Sequence, residues 1–197
     1  TPRNVITTLN RFLGENTPVA TDVGQHQMWA AQYLNLKTSR RFLSSGGLGT
    51  MGFGMGAAIG AALGCGERSV LVTGDGSFGM NLNELATAVA NQIPMVILLL
   101  DNNVLGMVRQ WQTLFFDKHY SNTNLDARKT DFVKLAEAFG AEGSRALSIP
   151  ELEAALAKAF SWNGPYLIDC AIDRDEFVLP MLPPGGSMDD IITRIGD

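Results

Sequence analysis

The chain lacks the features that mark several protein classes. Its 197 residues include 15 Lys and Arg against 20 Asp and Glu, a formal net charge of −5, so it has no basic excess of the kind that binds nucleic acid. No apolar run approaches the roughly 20 residues that a membrane-spanning helix needs. We find no internal repeat and no linker-like segment. We therefore expect one globular domain that binds neither nucleic acid nor membrane.

Cysteine is scarce and unpatterned. Cys65 and Cys170 stand in apolar stretches without a CxxC pair, which predicts buried thiols in a cytoplasmic protein. A disulfide between them is the less favoured alternative. The sequence begins with Thr1 and shows no signal peptide, so we expect a piece excised from a longer cytoplasmic polypeptide. With 46% hydrophobic residues, it can form one large α/β domain.

Two short apolar runs end in polar residues. Ser69–Thr73 is followed by Gly74-Asp75-Gly76-Ser77, and Met95–Leu100 is followed by Asp101-Asn102-Asn103. Both runs have the composition of buried parallel strands. Residues 80–90 between them have the apolar spacing of a helix. A right-handed strand–helix–strand unit brings both strand ends to one edge of the sheet, where open α/β sheets bind ligands.

The polar residues at these strand ends suit a metal ion and a phosphate. Asp75 and Asn102 offer the hard oxygen ligands that Mg²⁺ prefers, usually together with phosphate oxygens. Gly74 and Gly76 let the main chain turn tightly against a diphosphate, and the N–H groups that open the following helix would point towards it. Taken singly, Asp75 could be a helix cap and Asn102 a turn former. His26, between a strand and a helix, could cap that helix or hydrogen-bond a phosphate.

Strands and helices alternate along the rest of the chain. Further strands are predicted at 19–23 and 165–172. Helices are predicted at 1–13, 26–34, 57–63, 105–115, 131–139 and 150–162, with a loop at 117–129. This alternation predicts an α/β fold with an open parallel sheet of about six strands and helices on both faces.

Three other features have two interpretations each. Residues 47–52 fit the dinucleotide pattern G-x-G-x-x-G, but residues 40–45 before them make a poor buried strand, so the required context is missing. These glycines instead favour a main chain that approaches a flat heterocycle. Met51 could be an ordinary core residue. The same holds for Met107 and Trp111, which lie four residues apart on one helix face.

Several segments together resemble one enzyme family. Gly-Asp-Gly at 74–76 with an asparagine at 102 is similar to the thiamine diphosphate signature. Closer resemblance is carried by the segments Gly24–Trp29, Ser45–Gly52, Gly106–Gln112 and Pro180–Asp190. In this order they resemble the catalytic subunit of acetolactate synthase, and the match covers nearly the whole chain. It implies that residues 1–197 are the C-terminal, diphosphate-binding domain, without the N-terminal pyrimidine-binding and middle domains.

The resemblance also implies roles for single residues. Asp75, Asn102 and the main-chain carbonyl of Val104 are expected to bind Mg²⁺. Two residues are expected to serve catalysis: Met51 bends the cofactor from beneath its thiazolium ring, and Trp111 selects the second 2-ketoacid. Gln25 and His26 are expected to contact the diphosphate. The full set of expected cofactor-binding residues is Gly24, Gln25, His26, Gly49, Met51, Gly74, Asp75, Gly76, Ser77, Asn102, Leu105, Gly106 and Met107.

The implied reaction decarboxylates pyruvate on thiamine diphosphate and condenses the product with pyruvate or 2-ketobutyrate, a step of branched-chain amino acid biosynthesis. The resemblance implies Mg²⁺, a homodimer, and FAD bound mainly by the middle domain; a small regulatory subunit is left open. Alternatives are another thiamine diphosphate-dependent carboligase, decarboxylase or oxidase, or a binding or assembly module. The sequence departs from the family at Met55-Gly56 and Gly79. The segment alone is expected to be inactive.

Overall fold

The computed structural model describes residues 1–195. Its strands are β1 (Val19–Thr21), β2 (Phe42–Leu43), β3 (Ser69–Gly74), β4 (Met95–Asp101), β5 (Glu142–Ala146) and β6 (Pro165–Ala171). Its α-helices are α1 (Pro2–Leu9), α2 (Gln25–Tyr33), α3 (Phe53–Cys65), α4 (Asp75–Phe78), α5 (Leu85–Ala90), α6 (Gly106–Phe115), α7 (Phe132–Phe139) and α8 (Ile149–Ser161). The strands form one parallel sheet in the order β2-β1-β3-β4-β6-β5. The predicted fold class is confirmed.

The sheet is buried on both faces, as the unbroken apolar strands predict. Alternate residues of β4 point into two separate cores: Val96 and Leu98 into one, Ile97 and Leu99 into the other. Helices α1, α2 and α8 cover the first core with Leu9, Trp29 and Leu156. Helices α3, α5 and α7 cover the second with Met55, Leu85 and Phe132.

The strand order places a crevice at one edge of the sheet. From β1 the chain passes through α2 to β2 on one side, whereas β3 pairs with β1 on the other side. Loops that leave such strands at their carboxyl ends diverge and leave room for a ligand. The segments after β1, β3 and β4 meet at this edge.

The helix predicted at 80–90 is wrong in its extent. The chain enters α4 directly at the end of β3, forms a 3₁₀ turn at Leu82–Glu84, and resumes an α-helix only in α5. Asn81 lies between these pieces with an extended φ of −144°, and its Nδ2 donates to the carbonyl of Gly52 over 3.2 Å. This tertiary hydrogen bond holds Asn81 outside helical geometry. The spacing of apolar residues gives no sign of such a distant contact.

Two edge strands carry little sequence signal. β2 has only two residues, and Phe42 is exposed, so residues 40–45 are indeed no buried strand although they pair with β1. β5 has the polar sequence EGSRA and pairs only with β6 among the described strands. Strands that are covered on fewer sides need fewer apolar residues, and periodicity misses them.

Of the other six predicted helices, four agree with the structure to within one residue and two differ. α1 ends at Leu9 with Asn10 as its C-cap, short of the predicted end at 13, and α3 is longer than the predicted 57–63. The expectation of two buried thiols is wrong for Cys65, which is exposed at the end of α3; Cys170 is buried, and both thiols are free. Within residues 1–195, none of the helices is long and apolar enough to cross a membrane.

Candidate functional site

A cleft of about 510 Å³ lies at the carboxyl ends of the strands, against the start of α2. Thirteen of the residues singled out from the sequence line it: Gly24, Gln25, His26, Met51, Gly74, Asp75, Gly76, Ser77, Asn102, Val104, Leu105, Gly106 and Met107. Trp111 lies outside its wall. Gly49, with a φ of +61°, does not line the cleft either, and a Cβ added to it would lie 3.8 Å from the lining residue Val23.

Asp75 and Asn102 end neighbouring strands, as predicted. Gly74 and Leu100 are paired in the sheet. Asp75 follows the first of them and Asn102 stands two residues after the second, so both lie at the ends of adjacent strands. Asp75 is the first residue of α4, with Gly74 in the N-cap position. Asn102 Oδ1 accepts the main-chain N–H of Val104 over 3.2 Å, as in an asparagine turn. Both side chains are buried.

The Asp75 carboxyl group lies in an environment that disfavours its charge. Burial, followed by the nearby carboxylate of Asp101, raises the pKa of Asp75 to about 7, and Arg128 opposes this only partly. A bound cation would offset both effects because it supplies the opposite charge. No cluster of three His, Cys, Asp or Glu side chains suited to a metal is found among residues 1–195. The available donors are thus one carboxylate with amide and carbonyl oxygens, which suits a metal ion that also takes phosphate oxygens.

Glycines let separate segments of the chain pack closely against each other around the cleft. An ideal Cβ placed on Gly76 would lie 2.7 Å from Leu105 Cδ2, and one on Gly74 would lie 2.8 Å from His26 Nδ1. Real side chains do not approach each other this closely, so neither position has space for even a methyl group. The Gly-Asp-Gly pattern therefore has a steric reason at both of its glycines.

His26 is buried in the first turn of α2. Burial lowers the pKa of its imidazole to about 3, although a hydrogen bond with the main chain of Asp22 acts in the opposite direction. The side chain is therefore neutral at pH 7. Its Nε2 has no hydrogen-bond partner among residues 1–195, and buried polar atoms of this kind call for a ligand or water.

The side chain of Gln25 is held by two groups from distant parts of the chain. Its Nε2 donates to Gln110 Oε1 and to the carbonyl of Glu176, each over 2.9 Å. Its Oε1 is buried without a partner in the described part of the chain. This oxygen would lie 2.0 Å from a Cβ on Gly106. Both side-chain N–H groups are thus engaged away from the cleft, while the main-chain N–H at the start of α2 has no helical partner.

A second, more open cleft of about 1170 Å³ adjoins the first, and Met107 and Val108 line both. Trp111 and Phe115 form part of its wall with an edge-to-face contact of 5.7 Å between ring centroids. Trp111 is 37% exposed, so it is no residue of the sheet core. Met51 also lines the first cleft, and its Cε would lie 3.8 Å from a Cβ on Gly76.

One residue of this edge was missed from the sequence. Asp22 directly follows β1 and is 1% exposed. Its Oδ1 accepts hydrogen bonds from Ser77 Oγ and from the main-chain N–H groups of Gly52 and Val23. The rule that identified Asp75 and Asn102, a polar residue at a strand's carboxyl end, also applies to Asp22 and could have found it.

Comparison with known proteins agrees with this geometry. Residues 22–170 match the family described as "Thiamine pyrophosphate enzyme, C-terminal TPP binding domain". The chain is 48% identical to acetolactate synthase isozyme 2 large subunit of Escherichia coli, over 90% of the chain and 32% of that protein. It is 48% identical to a probable acetolactate synthase large subunit of Methanocaldococcus jannaschii, over 92% and 30%. It is 43% identical to chloroplastic acetolactate synthase 1 of Nicotiana tabacum, over 98% and 30%. The chain spans about a third of the length of these relatives.

Proposed function

This chain belongs to the thiamine pyrophosphate enzymes as a C-terminal TPP-binding domain, and we propose that it binds thiamine diphosphate (thiamine pyrophosphate) with Mg²⁺ in an acetolactate synthase. The proposal rests chiefly on the junction of β3 and β4, where Asp75, Asn102 and the glycines adjoin one cleft. In this proposal residues 1–197 are one domain of a longer catalytic subunit; residues 196 and 197 lie outside the described part.

Asp75, Asn102 and the carbonyl of Val104 would hold Mg²⁺, with the remaining positions left to diphosphate oxygens and water. Main-chain N–H groups at the start of α2, from Gln25 and His26, would hydrogen-bond the diphosphate. The raised pKa of Asp75 supports this assignment, because a divalent cation would stabilise a carboxylate that burial disfavours.

The other predicted residues would shape the cleft. Met51 would press on the cofactor from the side facing Gly76, and Leu105 and Met107 would exclude water around it. Gly49 and Gly106 would let the main chain approach closely, whereas Ser77 would act indirectly because its hydroxyl is bonded to Asp22. Bound thiamine diphosphate supplies the electron sink for decarboxylation of a 2-ketoacid.

The activity of the longer protein is inferred from its relatives. The proposed substrates are two molecules of pyruvate, or pyruvate and 2-ketobutyrate, with Trp111 at the second cleft selecting the latter. A homodimer and FAD bound mainly by other domains complete the proposal. The name "large subunit" of two relatives supports a smaller regulatory partner. A cytoplasmic location stays a prediction, since one relative is named chloroplastic.

Calorimetric titration of the chain with thiamine diphosphate and Mg²⁺ tests the central proposal. We expect binding by the parent and its loss in Asp75→Asn, because the amide keeps the shape but cannot supply the charge. The fold should survive, since burial already favours the uncharged form at this position. Asp189→Asn, at an exposed aspartate, is the control and should bind as the parent does. Equal binding by Asp75→Asn would disprove the metal assignment.

Turnover distinguishes the enzyme from its alternatives. A longer protein that contains this chain should form acetolactate from pyruvate, whereas the chain alone should not. Carbon dioxide or acetyl products without acetolactate would indicate a different thiamine diphosphate-dependent decarboxylase or oxidase. Cofactor binding without any ketoacid turnover by the longer protein would indicate a binding or assembly module.

A further inference from the structure

The carboxamide of Gln110 is fixed in one orientation by the main chain. Gln110 is buried, and both ends of its amide contact one residue: Oε1 accepts the N–H of Val178 over 2.9 Å, and Nε2 donates to the carbonyl of Val178 over 3.0 Å. A main-chain N–H only donates and a carbonyl only accepts, so an exchanged amide would break both hydrogen bonds.

This orientation fixes that of Gln25. Because Gln110 Oε1 is an acceptor, the Gln25 atom 2.9 Å away must be the nitrogen. The second hydrogen of the same Nε2 is donated to the carbonyl of Glu176. Gln25 Oε1 therefore faces the other way, towards the cleft, where it is buried and unpartnered within residues 1–195.

The amide of Asn102 lies beside this oxygen at Gly106, although no hydrogen bond joins the two amides in this structure. A Cβ on Gly106 would lie 2.0 Å from Gln25 Oε1 and 3.0 Å from Asn102 Nδ2, so both atoms lie beside the bare Cα of Gly106. Asn102 Oδ1 meanwhile accepts the N–H of Val104. An acceptor beside Nδ2 and a donor beside Oδ1 favour the same orientation of the Asn102 amide.

We propose that Gln25 and Gln110 are positioning residues: Gln110 holds the Gln25 oxygen towards Asn102 Nδ2, which keeps Asn102 Oδ1 turned to the metal ion. The proposal rests on the proposed function, in which Asn102 binds Mg²⁺. It also changes the expected role of the Gln25 side chain, whose two N–H groups are already donated elsewhere and do not reach the diphosphate.

A double-mutant cycle measures how strongly Gln25 and Asn102 are coupled in their effect on Mg²⁺ affinity. Mg²⁺ is titrated calorimetrically, with thiamine diphosphate in excess, into the parent, Gln25→Met, Asn102→Asp and the double variant. Gln25→Met should weaken Mg²⁺ binding roughly 2- to 5-fold, because the Asn102 amide loses the partial negative charge that lies near its Nδ2. Asn102→Asp adds a charge at the metal ion but places an oxygen near Gln25 Oε1, so its effect on Mg²⁺ affinity should be less favourable in the parent than in the Gln25→Met background.

Gln110→Met tests, in the same assay, the residue that holds Gln25. It should weaken Mg²⁺ binding in the parent and have little further effect on Gln25→Met, because it acts through Gln25. Gln32→Met is the matched control: Gln32 also lies on α2 and donates to a carbonyl of the C-terminal segment, that of Leu179, but it does not line the cleft. It should bind Mg²⁺ as the parent does.

Two outcomes would overturn the inference. Additive effects of Gln25→Met and Asn102→Asp would show that the two amides are not coupled, even if Gln110→Met fails to fold. If Gln32→Met weakened Mg²⁺ binding as much as Gln25→Met and Gln110→Met do, only the attachment of the C-terminal segment to α2 would matter. If Asp75→Asn abolishes binding in either case, the proposed function stands and only this inference fails. Undiminished binding by Asp75→Asn would instead disprove the metal assignment within the proposed function.

Discussion

Ser77 Oγ donates a hydrogen bond to Asp22 Oδ1 over 2.6 Å, and this single oxygen also accepts the N–H groups of Gly52 and Val23 over 2.8 and 3.0 Å. One buried carboxylate thereby joins the end of β1, the start of α3 and the short helix α4. These segments form one side of the cleft, so its shape depends on a residue that is not expected to contact any ligand.

We predict that Asp22→Ala lowers the free energy of unfolding by roughly 2–4 kcal/mol, because several buried donors lose their acceptor. Asp22→Asn keeps an oxygen in the place of Oδ1 and should cost clearly less. Urea unfolding of the three proteins measures both changes. If the two variants were equally destabilised, charge rather than the shared acceptor would be the essential property.

The steric role of Gly76 gives a second prediction. In Gly76→Ala the new methyl group must displace Leu105, which would be only 2.7 Å away, and Leu105 lines the cleft. Only the far end of the Leu105 side chain has to move, so we expect a cost near ~1 kcal/mol and thiamine diphosphate binding roughly 5-fold weaker in calorimetry. The control is Gly60→Ala in α3, where a Cβ meets nothing within 4 Å. It should bind as the parent does, and an equal loss there would contradict the steric explanation.

The sequence predicts the parts of this molecule that depend on local pattern. The two central strands and thirteen residues of the cleft follow from apolar runs that end in polar residues, together with the family resemblance. The interrupted helix around Asn81 and the edge strand β5 do not, because a distant carbonyl and a neighbouring strand determine them. The orientations of Gln25 and Gln110 likewise depend on the main chain of residues 176–178, about 70 or more positions away along the chain.

The third prediction concerns His26 and pH. Its pKa is lowered to about 3 by burial, whereas the unfolded chain protonates near the ordinary value of 6.5. Above pH 6.5 the imidazole is neutral in both the folded and the unfolded chain, so it adds no pH dependence to the free energy of unfolding there. As pH falls from 6.5 towards 3 the unfolded state gains a proton that the folded state does not, which costs up to ~1.4 kcal/mol of stability per pH unit.

The His26→Gln variant should therefore lose less stability than the parent between pH 6.5 and 4, measured by urea unfolding. The parent–variant difference is the relevant quantity, because burial raises the pKa of Asp75 and of Asp169 and these carboxyl groups act in the opposite direction. His119→Gln, at an exposed position, is the control and should keep the parent's slope. Parallel curves for the parent and His26→Gln would assign the pH dependence to other groups.

The last prediction tests substrate choice in a catalytically active protein that contains this chain. Trp111 is 37% exposed and lines the second cleft with Phe115, so its indole can contact the extra methylene of 2-ketobutyrate. A methylene in an apolar pocket is worth about 1–3 kcal/mol, or roughly 10- to 200-fold in preference. Trp111→Leu should therefore shrink the preference for 2-ketobutyrate over pyruvate while largely sparing acetolactate formation, measured from competing ketoacids in one mixture. Trp162→Leu, 38% exposed and outside both clefts, should leave the product ratio unchanged. If Trp111→Leu also leaves the ratio unchanged, or lowers both activities through unfolding, the indole serves packing of α6 and not selection of the substrate.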